Sequence, residues 1–514
     1  MKTHLLLYSL GIFLLHSPVE ADSGTWLTNP VDNNWNNPAN WSSNKVPNAF
    51  NDTATFAVSS VTAVSLTASI ANGAVVFPPG ADAFTVTAAP GTNLNFQLEG
   101  IMNSSSATQN FVSAVDDAGR SGNYVFFGSF GETGPTVTGS VTFTQQARIT
   151  SSGDTGFVQF QLGADAGDAT FYDLGATTAG GIGGRTDFFY EHTSAAQATV
   201  INEGATVGGA SGGATVFQIN APTAGSATLI ANGGSNGGGG GTFTFYDAST
   251  GGSARVEVFG NGYLDISPRG GANGASMTIG SLEGDGQVYL GRQTLLVGSN
   301  DLSTTFSGVL YPGDPTGGHG KGAFTKVGTG TLTLTGANLY TAGTTVSVGT
   351  LVISNTTGSG TGTGAVSVNA GMLGGKGIIA GAVTIGTGSS AGAFLAPAHG
   401  TKQQATLTIQ SSLTFKADST YTCTFKAKRN KARNDKVVAN GVTVNSDASF
   451  NFSGEVQGHL TPGLVLTAIS NTSASPISGT FANLPDGAVL TVSGNNFLAS
   501  YEGGDGNDLT LIVQ

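Results

Sequence analysis

Apolar and polar residues alternate over short runs along much of this chain, and in its middle the runs recur at a near-constant interval. Five times between residues 147 and 260 an Ala is followed by Thr or Arg and then by three mostly apolar or β-prone residues. Gly stands six places after each Ala. The copies begin at Ala147, Ala169, Ala198, Ala227 and Ala254, with the shortest interval between the first two. Aromatic alternating segments lie between them, at 157–160, 188–190, 216–219 and 243–246. Alternation at period two marks a strand with one buried face, whereas a helix repeats its apolar positions about every 3.6 residues. Each unit therefore carries two short strands separated by Gly, Ser, Thr and Ala turns.

Two such strands cannot bury both of their faces alone, so stacking on neighbouring units must supply the core. This predicts an all-β fold: a right-handed parallel β-helix (a β-solenoid) with capped ends. Its coils would stack at ~4.8 Å with Val, Ile, Leu and Phe pointing inward. A propeller would need about four strands and roughly 40 residues per unit. Gly is expected where the chain turns between faces and needs positive φ. The run 237–241 is expected to be a protruding turn, and no helix-forming sequence follows it, which excludes a phosphate-binding P-loop.

From residue 321 the alternation sharpens. Leu332-Thr333-Leu334-Thr335-Gly336 and Thr344-Thr345-Val346-Ser347-Val348-Gly349-Thr350-Leu351 are joined by Ala337-Asn338-Leu339-Tyr340-Thr341-Ala342-Gly343. The run 326–354 resembles the autotransporter-associated β-strand repeat, with Leu339 and Ala342 standing where Thr and Gly are usual. Looser likeness extends through 282–308, 365–381, 394–397, 479–487 and 501–509, and to the Trp35–Trp41 segment near the start. The resemblance implies a secreted or surface-displayed passenger-like β-helix. No segments with the lipid-facing alternation of a membrane barrel are read in the sequence, so the expectation is a passenger lacking the C-terminal barrel.

These patterns divide the chain into segments. Positions 1–21 read as a signal peptide, with Lys2 and His4, the apolar run 5–15, and Val19-Glu20-Ala21 before cleavage after Ala21. An N-terminal cap with the first irregular coils is expected over 22–140, and solenoid repeats over 141–320. The β-helix with the sharper repeat follows at 321–422, then a basic loop at 423–440, then C-terminal coils and a cap over 441–514. No apolar stretch after Ala21 reaches the length of a transmembrane helix.

Composition narrows the function. There are 80 Gly, 10% charged residues, one Cys and a formal net charge of −12. One cysteine cannot build a disulfide scaffold, and Cys423, within the alternating segment 421–425, is expected to be buried. An acidic chain with little positive charge argues against a nucleic-acid partner. The one dense basic run is 426–436, with Lys426, Lys428, Arg429, Lys431, Arg433 and Lys436. It reads as a solvated hairpin, or as a contact for anionic cell-envelope or extracellular polysaccharide, or as a protease-sensitive processing loop.

Catalysis is not expected, and no catalytic, cofactor-binding or metal-binding residue is assigned. Many β-helices are polysaccharide lyases or hydrolases, whose chemistry needs stacked or paired carboxylates. The places before the repeated Ala hold Gln146, Asp168, Gln197, Ser226 and Ser253; four places after it come Ser151, Asp173, Asn202, Ala231 and Val258. Neither column stacks acids. Asp116, Asp117 and Arg120 read as a surface turn, and His192, His319, His399 and His459 lack metal-ligand spacing. The segment 503–511 approaches a calcium nonapeptide, which would use Asp505 and Asp508; its apolar residue is one place early, so a turn into the last strand is expected. Trp26, Trp35 and Trp41 are the only tryptophans, read as an end plug or as a sugar-stacking platform. The favoured function is an exported structural protein with an adhesive or extracellular-matrix role. The alternatives are a polysaccharide-active lyase or hydrolase and a carbohydrate-binding module.

Overall fold

The computed structural model describes residues 22–128, 134–149, 153–270, 275–389, 392–399, 403–428 and 431–514. The signal-like segment 1–21 lies outside them. Strands pair almost wholly in parallel, each with the strand one coil earlier and one coil later. They form four stacks, here sheets A to D. Sheet A runs from Gly24–Thr25 to Val309–Tyr311, and sheet B from Ala63–Leu66 to Ser449–Gln457. Sheet C begins at Ser276–Ile279 and ends at Val442–Val444, and sheet D runs from Ile378–Ile379 to Asp508–Val513. The molecule is a parallel β-helix.

The register of sheet B shows why the sequence repeats. Thr142, Thr170, Thr199, Thr228, Arg255 and Ser281 stand opposite one another in successive coils, at nearly equal intervals along the chain. One place further on, Phe143, Phe171, Val200, Leu229, Val256 and Leu282 are all buried inside. The copies starting at Ala169, Ala198, Ala227 and Ala254 share this frame. The copy at Ala147 does not. The rung below Thr170–Asp173 is Val141–Gln145, in which Val141 takes the Ala place, so matching on Ala slid the first unit out of frame and shortened its interval. Ala147 packs instead with Ala176, Ala205 and Ala210 in a small separate apolar cluster.

The repeated Gly is also explained differently from the expectation. Gly153 and Gly260 do have positive φ, at +105° and +57°. Gly175 and Gly204 do not; a Cβ on either would lie 2.2 Å from the carbonyl oxygen of Gly204 or Gly233 in the next coil. Coils approach backbone to backbone at this corner, and any side chain would separate them.

Sheet A faces sheet B across an aromatic interior. Phe96, Phe126, Phe160, Phe188, Phe217 and Phe245 stack in sequence, with centroids 4.4, 4.5, 5.1, 4.8 and 4.5 Å apart and interplanar angles of 15° or less. Strand spacing sets this distance, and parallel in-register pairing keeps each ring above the last. The N-terminal end is closed by Trp26, Trp35 and Trp41, all 2% exposed or less. Each packs on Phe56, with centroids 5.0 to 5.8 Å away. The C-terminal end changes to antiparallel pairing among Val465–Asn471, Asp508–Val513, Asn495–Gly503 and Val489–Val492.

The interior is not wholly apolar. Gln145, Asp173 and Asn202 stack on one rung column and are fully buried. The Thr186 hydroxyl donates to Asp173 Oδ1 at 3.0 Å, and the Thr215 hydroxyl lies 3.2 Å from Asp173 Oδ2 and 3.0 Å from Asn202 Oδ1. Burial pushes the Asp173 carboxyl well above the usual range. The two threonine hydroxyls and Arg185 oppose that shift, and Asp187 adds to it. The folded chain thus holds this proton at pH values where the unfolded chain has lost it. The contribution of Asp173 is therefore greatest below about pH 4 and falls as pH rises above it. Asp173→Asn is expected to be more stable than wild type at pH 8, by roughly 1–3 kcal/mol, and to lose that advantage at pH 4. Thermal unfolding of both proteins across this range checks the sign; a difference that does not change with pH would refute it.

Candidate functional site

The segment expected to be a basic loop, 423–440, is mostly strand. Ser419–Lys428 is ten residues long, where most rungs of sheet B have three to five. Alternation makes it amphipathic: Tyr421, Cys423, Phe425 and Ala427 are buried, while Thr424, Lys426 and Lys428 point away from the core. It pairs in parallel with Ser449–Gln457 and turns back into an antiparallel strand, Lys431–Asn434. Lys436–Ala439 then rejoins the coil in sheet D. Arg429 and Asn430 lie outside the described residues.

The foot of this hairpin is fixed by a buried carboxylate. Asp435 accepts hydrogen bonds from the Ala405 amide at 3.0 Å, the Thr424 amide at 2.8 Å and the Thr424 hydroxyl at 2.7 Å. Beside it the Cys423 thiol lies 3.2 Å from the Asp435 carbonyl oxygen. Burial pushes that thiol far up from its ordinary pKa, which makes it a core residue rather than a nucleophile.

Above this anchor the antiparallel register sets Lys426 opposite Arg433 and Lys428 opposite Lys431. Like charges directly across a strand pair repel. Glu455, opposite Lys426 on the third strand, offers a carboxylate 3.5 Å from the Lys426 ammonium; Lys428 is opposite neutral Gln457. The four cations line an open cleft of about 630 Å³ with Glu455 and Gln457. The arrangement concentrates positive charge in one open cleft, where any contact with an anion would be electrostatic and screened by salt.

The other residues singled out in the sequence fall elsewhere. The tryptophan rings are buried against one another, so they serve as the end plug and present no stacking face to a sugar. Asp116 receives the Arg120 side chain at 2.7 Å across a surface turn, and hydrogen bonding from the Arg120 backbone leads the lowering of its carboxyl pKa. Asp505 and Asp508 lie at the turn between Asn495–Gly503 and Asp508–Val513, where Asp508 Oδ1 accepts the Asn471 amide at 2.8 Å. Among the described residues, no three His, Cys, Asp or Glu side chains converge as a metal site would require. Asp173, one of the two acids in the two columns read for stacked carboxylates, faces the interior. In that column the true first member is Gln145, not Ser151.

Two groups escaped the sequence reading: Tyr246, Tyr263, Tyr289 and Tyr311, and the cluster of Arg292, His319 and Lys321. The tyrosines follow no fixed interval, and the three cleft residues come together only because two corners stack.

Residues 324–353 match the family model of the passenger-associated-transport-repeat. The chain thus carries an autotransporter passenger-type repeat inside its β-helix, at the segment 326–354 that resembles it in sequence. No curated protein matches the sequence. Among solved structures, the crystal structure of the Haemophilus influenzae Hap adhesin is similar at 11% identity and a TM-score of 0.26, over 90% of this chain and 64% of that one. The chain thus spans just under two thirds of that chain's length. The fold itself rests on the strand pairing described above.

Proposed function

We propose that this repeat-bearing β-helix is exported and acts at the cell surface or in the extracellular matrix as a non-catalytic adhesive rod. Its partner in this reading is an acidic polysaccharide of the envelope or matrix, held along the basic hairpin. The signal-like segment 1–21 and the passenger-type repeat support export. The observation that carries the partner is the register pairing Lys426 with Arg433 and Lys428 with Lys431. Folding gains nothing from setting these cations face to face, whereas a polyanion laid across them removes the repulsion.

The test is binding of the purified chain to immobilised alginate or a sulfated galactan, with neutral dextran as control. Lys426→Gln, Lys428→Gln, Lys431→Gln and Arg433→Gln together are expected to weaken retention about tenfold or more at low salt, and to flatten its salt dependence. The melting temperature should hold or rise, because exposed like charges are removed. Unchanged retention would refute the hairpin as the contact. Release of reducing ends from the polysaccharide would replace adhesion with an enzyme.

A further inference from the structure

Three successive strands of sheet A carry a tyrosine at an outward position, and a fourth tyrosine directly follows the strand before them. Tyr246 follows Thr242–Phe245 and is 37% exposed. Tyr263, Tyr289 and Tyr311 lie on Tyr263–Asp265, Gln287–Tyr289 and Val309–Tyr311. The core does not call for them, since Phe245, Leu264, Val288 and Leu310 fill the inner positions of the same strands. Tyr263 and Tyr289 meet edge to face at 5.5 Å, and Tyr289 and Tyr311 stack at 5.0 Å and 17°. The partly exposed rings of Tyr263, Tyr289 and Tyr311 offer apolar surface to the C–H groups of a pyranose, while the Tyr289 hydroxyl donates to Gln287 Oε1 at 2.5 Å.

The corner leading out of these strands is cationic. Arg292, which closely follows Tyr289, lines an open cleft of about 540 Å³ with His319, Lys321 and the small residues Gly322 and Ala342. His319 and Lys321 belong to the loop that leaves Tyr311 and re-enters sheet C at Ala323–Lys326. That loop joins the two features. The loop also brings the Asp314 carboxylate close enough to Asp265, which stands opposite Tyr289, to add to the burial that raises the Asp265 carboxyl. In a chain of net charge −12, Arg292 and Lys321 concentrate positive charge around one cleft, with the His319 imidazole beside them.

We infer that the tyrosine strands and the Arg292–His319–Lys321 cleft form a glycan-binding site for an acidic sugar, with rings contacting the pyranose and cations its carboxylate or sulfate. This site is separate from the hairpin and stands whether or not the hairpin binds.

The experiment uses the hairpin-neutralised quadruple variant as background, so that the two sites are read apart. Calorimetry is run with an oligogalacturonide, a sulfated galactan oligosaccharide and cellohexaose. The background should bind an acidic oligosaccharide, and which of the two binds identifies the anionic group. Tyr289→Ala with Tyr311→Ala should weaken that binding about tenfold at any salt concentration. Arg292→Gln with Lys321→Gln, both at exposed positions, should weaken it about tenfold and remove most of its salt dependence. No binding in the background, equal binding of cellohexaose, or binding untouched by the Arg292/Lys321 pair overturns the site. If the tyrosine variants do not fold, the Arg292/Lys321 pair alone decides. The hairpin is judged separately, by comparing wild type with the background.

Discussion

Trp35→Ala is expected to cost about 3–5 kcal/mol and to loosen the molecule from its N-terminal end inward. Trp35 is fully buried, packs on Trp41 at 5.2 Å and on Phe56 at 5.0 Å, and its carbonyl accepts the Trp41 indole N–H at 2.7 Å. Phe56 in turn stacks on Phe77 at 5.5 Å, so the plug continues into the first coils. In a rod where each coil touches only its neighbours, stability is a sum of coil and interface contributions, and an uncapped end exposes an interface with no partner. Hydrogen exchange should therefore rise first in the coils over 22–128 and leave the later coils of sheet B protected. Uniform loss of protection along the whole rod would show that the tryptophans do not act as a local plug. Trp41→Ala should behave alike.

Gly213→Ala is expected to be destabilising by about 3 kcal/mol, although it adds one methyl group to a chain rich in small residues. A Cβ there would lie 2.0 Å from the Asp173 carbonyl oxygen and 2.8 Å from the Asp173 Cβ. Gly184 and Gly241 meet Gln145 and Asn202 in the same way, with oxygen distances of 2.2 and 2.0 Å. The corner entering sheet A thus rests directly on the preceding rung of sheet B, and only backbone movement could admit a side chain. Gly208→Ala is the control in the same connection. Its Cβ would find nothing closer than 3.6 Å, so chemical denaturation should show little change. Equal effects at the two positions would remove the steric explanation.

These cases mark how far the sequence could be read. Period-two alternation exposed the strands, and the near-constant spacing of the later Ala copies exposed the stacking, because inward Phe, Val and Leu must recur once per coil. The segment 326–354 was legible for the same reason, with little variation in the repeat. The frame failed at Ala147, where Val141 occupies the place that Ala takes in later coils and another Ala stood a little further along. Gly was located correctly but partly for the wrong cause: at Gly175 and Gly204 the constraint is contact with the next coil, which no local pattern displays. The basic run was legible as charge and as a solvated hairpin. Its register was not, because like charges in the pairs Lys426–Arg433 and Lys428–Lys431 appear only once the turn is placed. The tyrosines of sheet A were invisible because outward positions carry no periodic demand.

The in-register stacking of Thr170, Thr199 and Thr228, at equal offsets along the chain, makes a coil an excisable unit. Loss of the stretch 199–227 would bring Phe171 against Leu229 as it now meets Val200, with every strand still finding a partner. A duplication would do the reverse. Either event changes the rod by one strand spacing, ~4.8 Å, and shifts the hairpin by one rung relative to the tryptophan plug. Length in this molecule is thus a quantised trait, adjustable in whole coils, while smaller gains and losses must be absorbed at the corners.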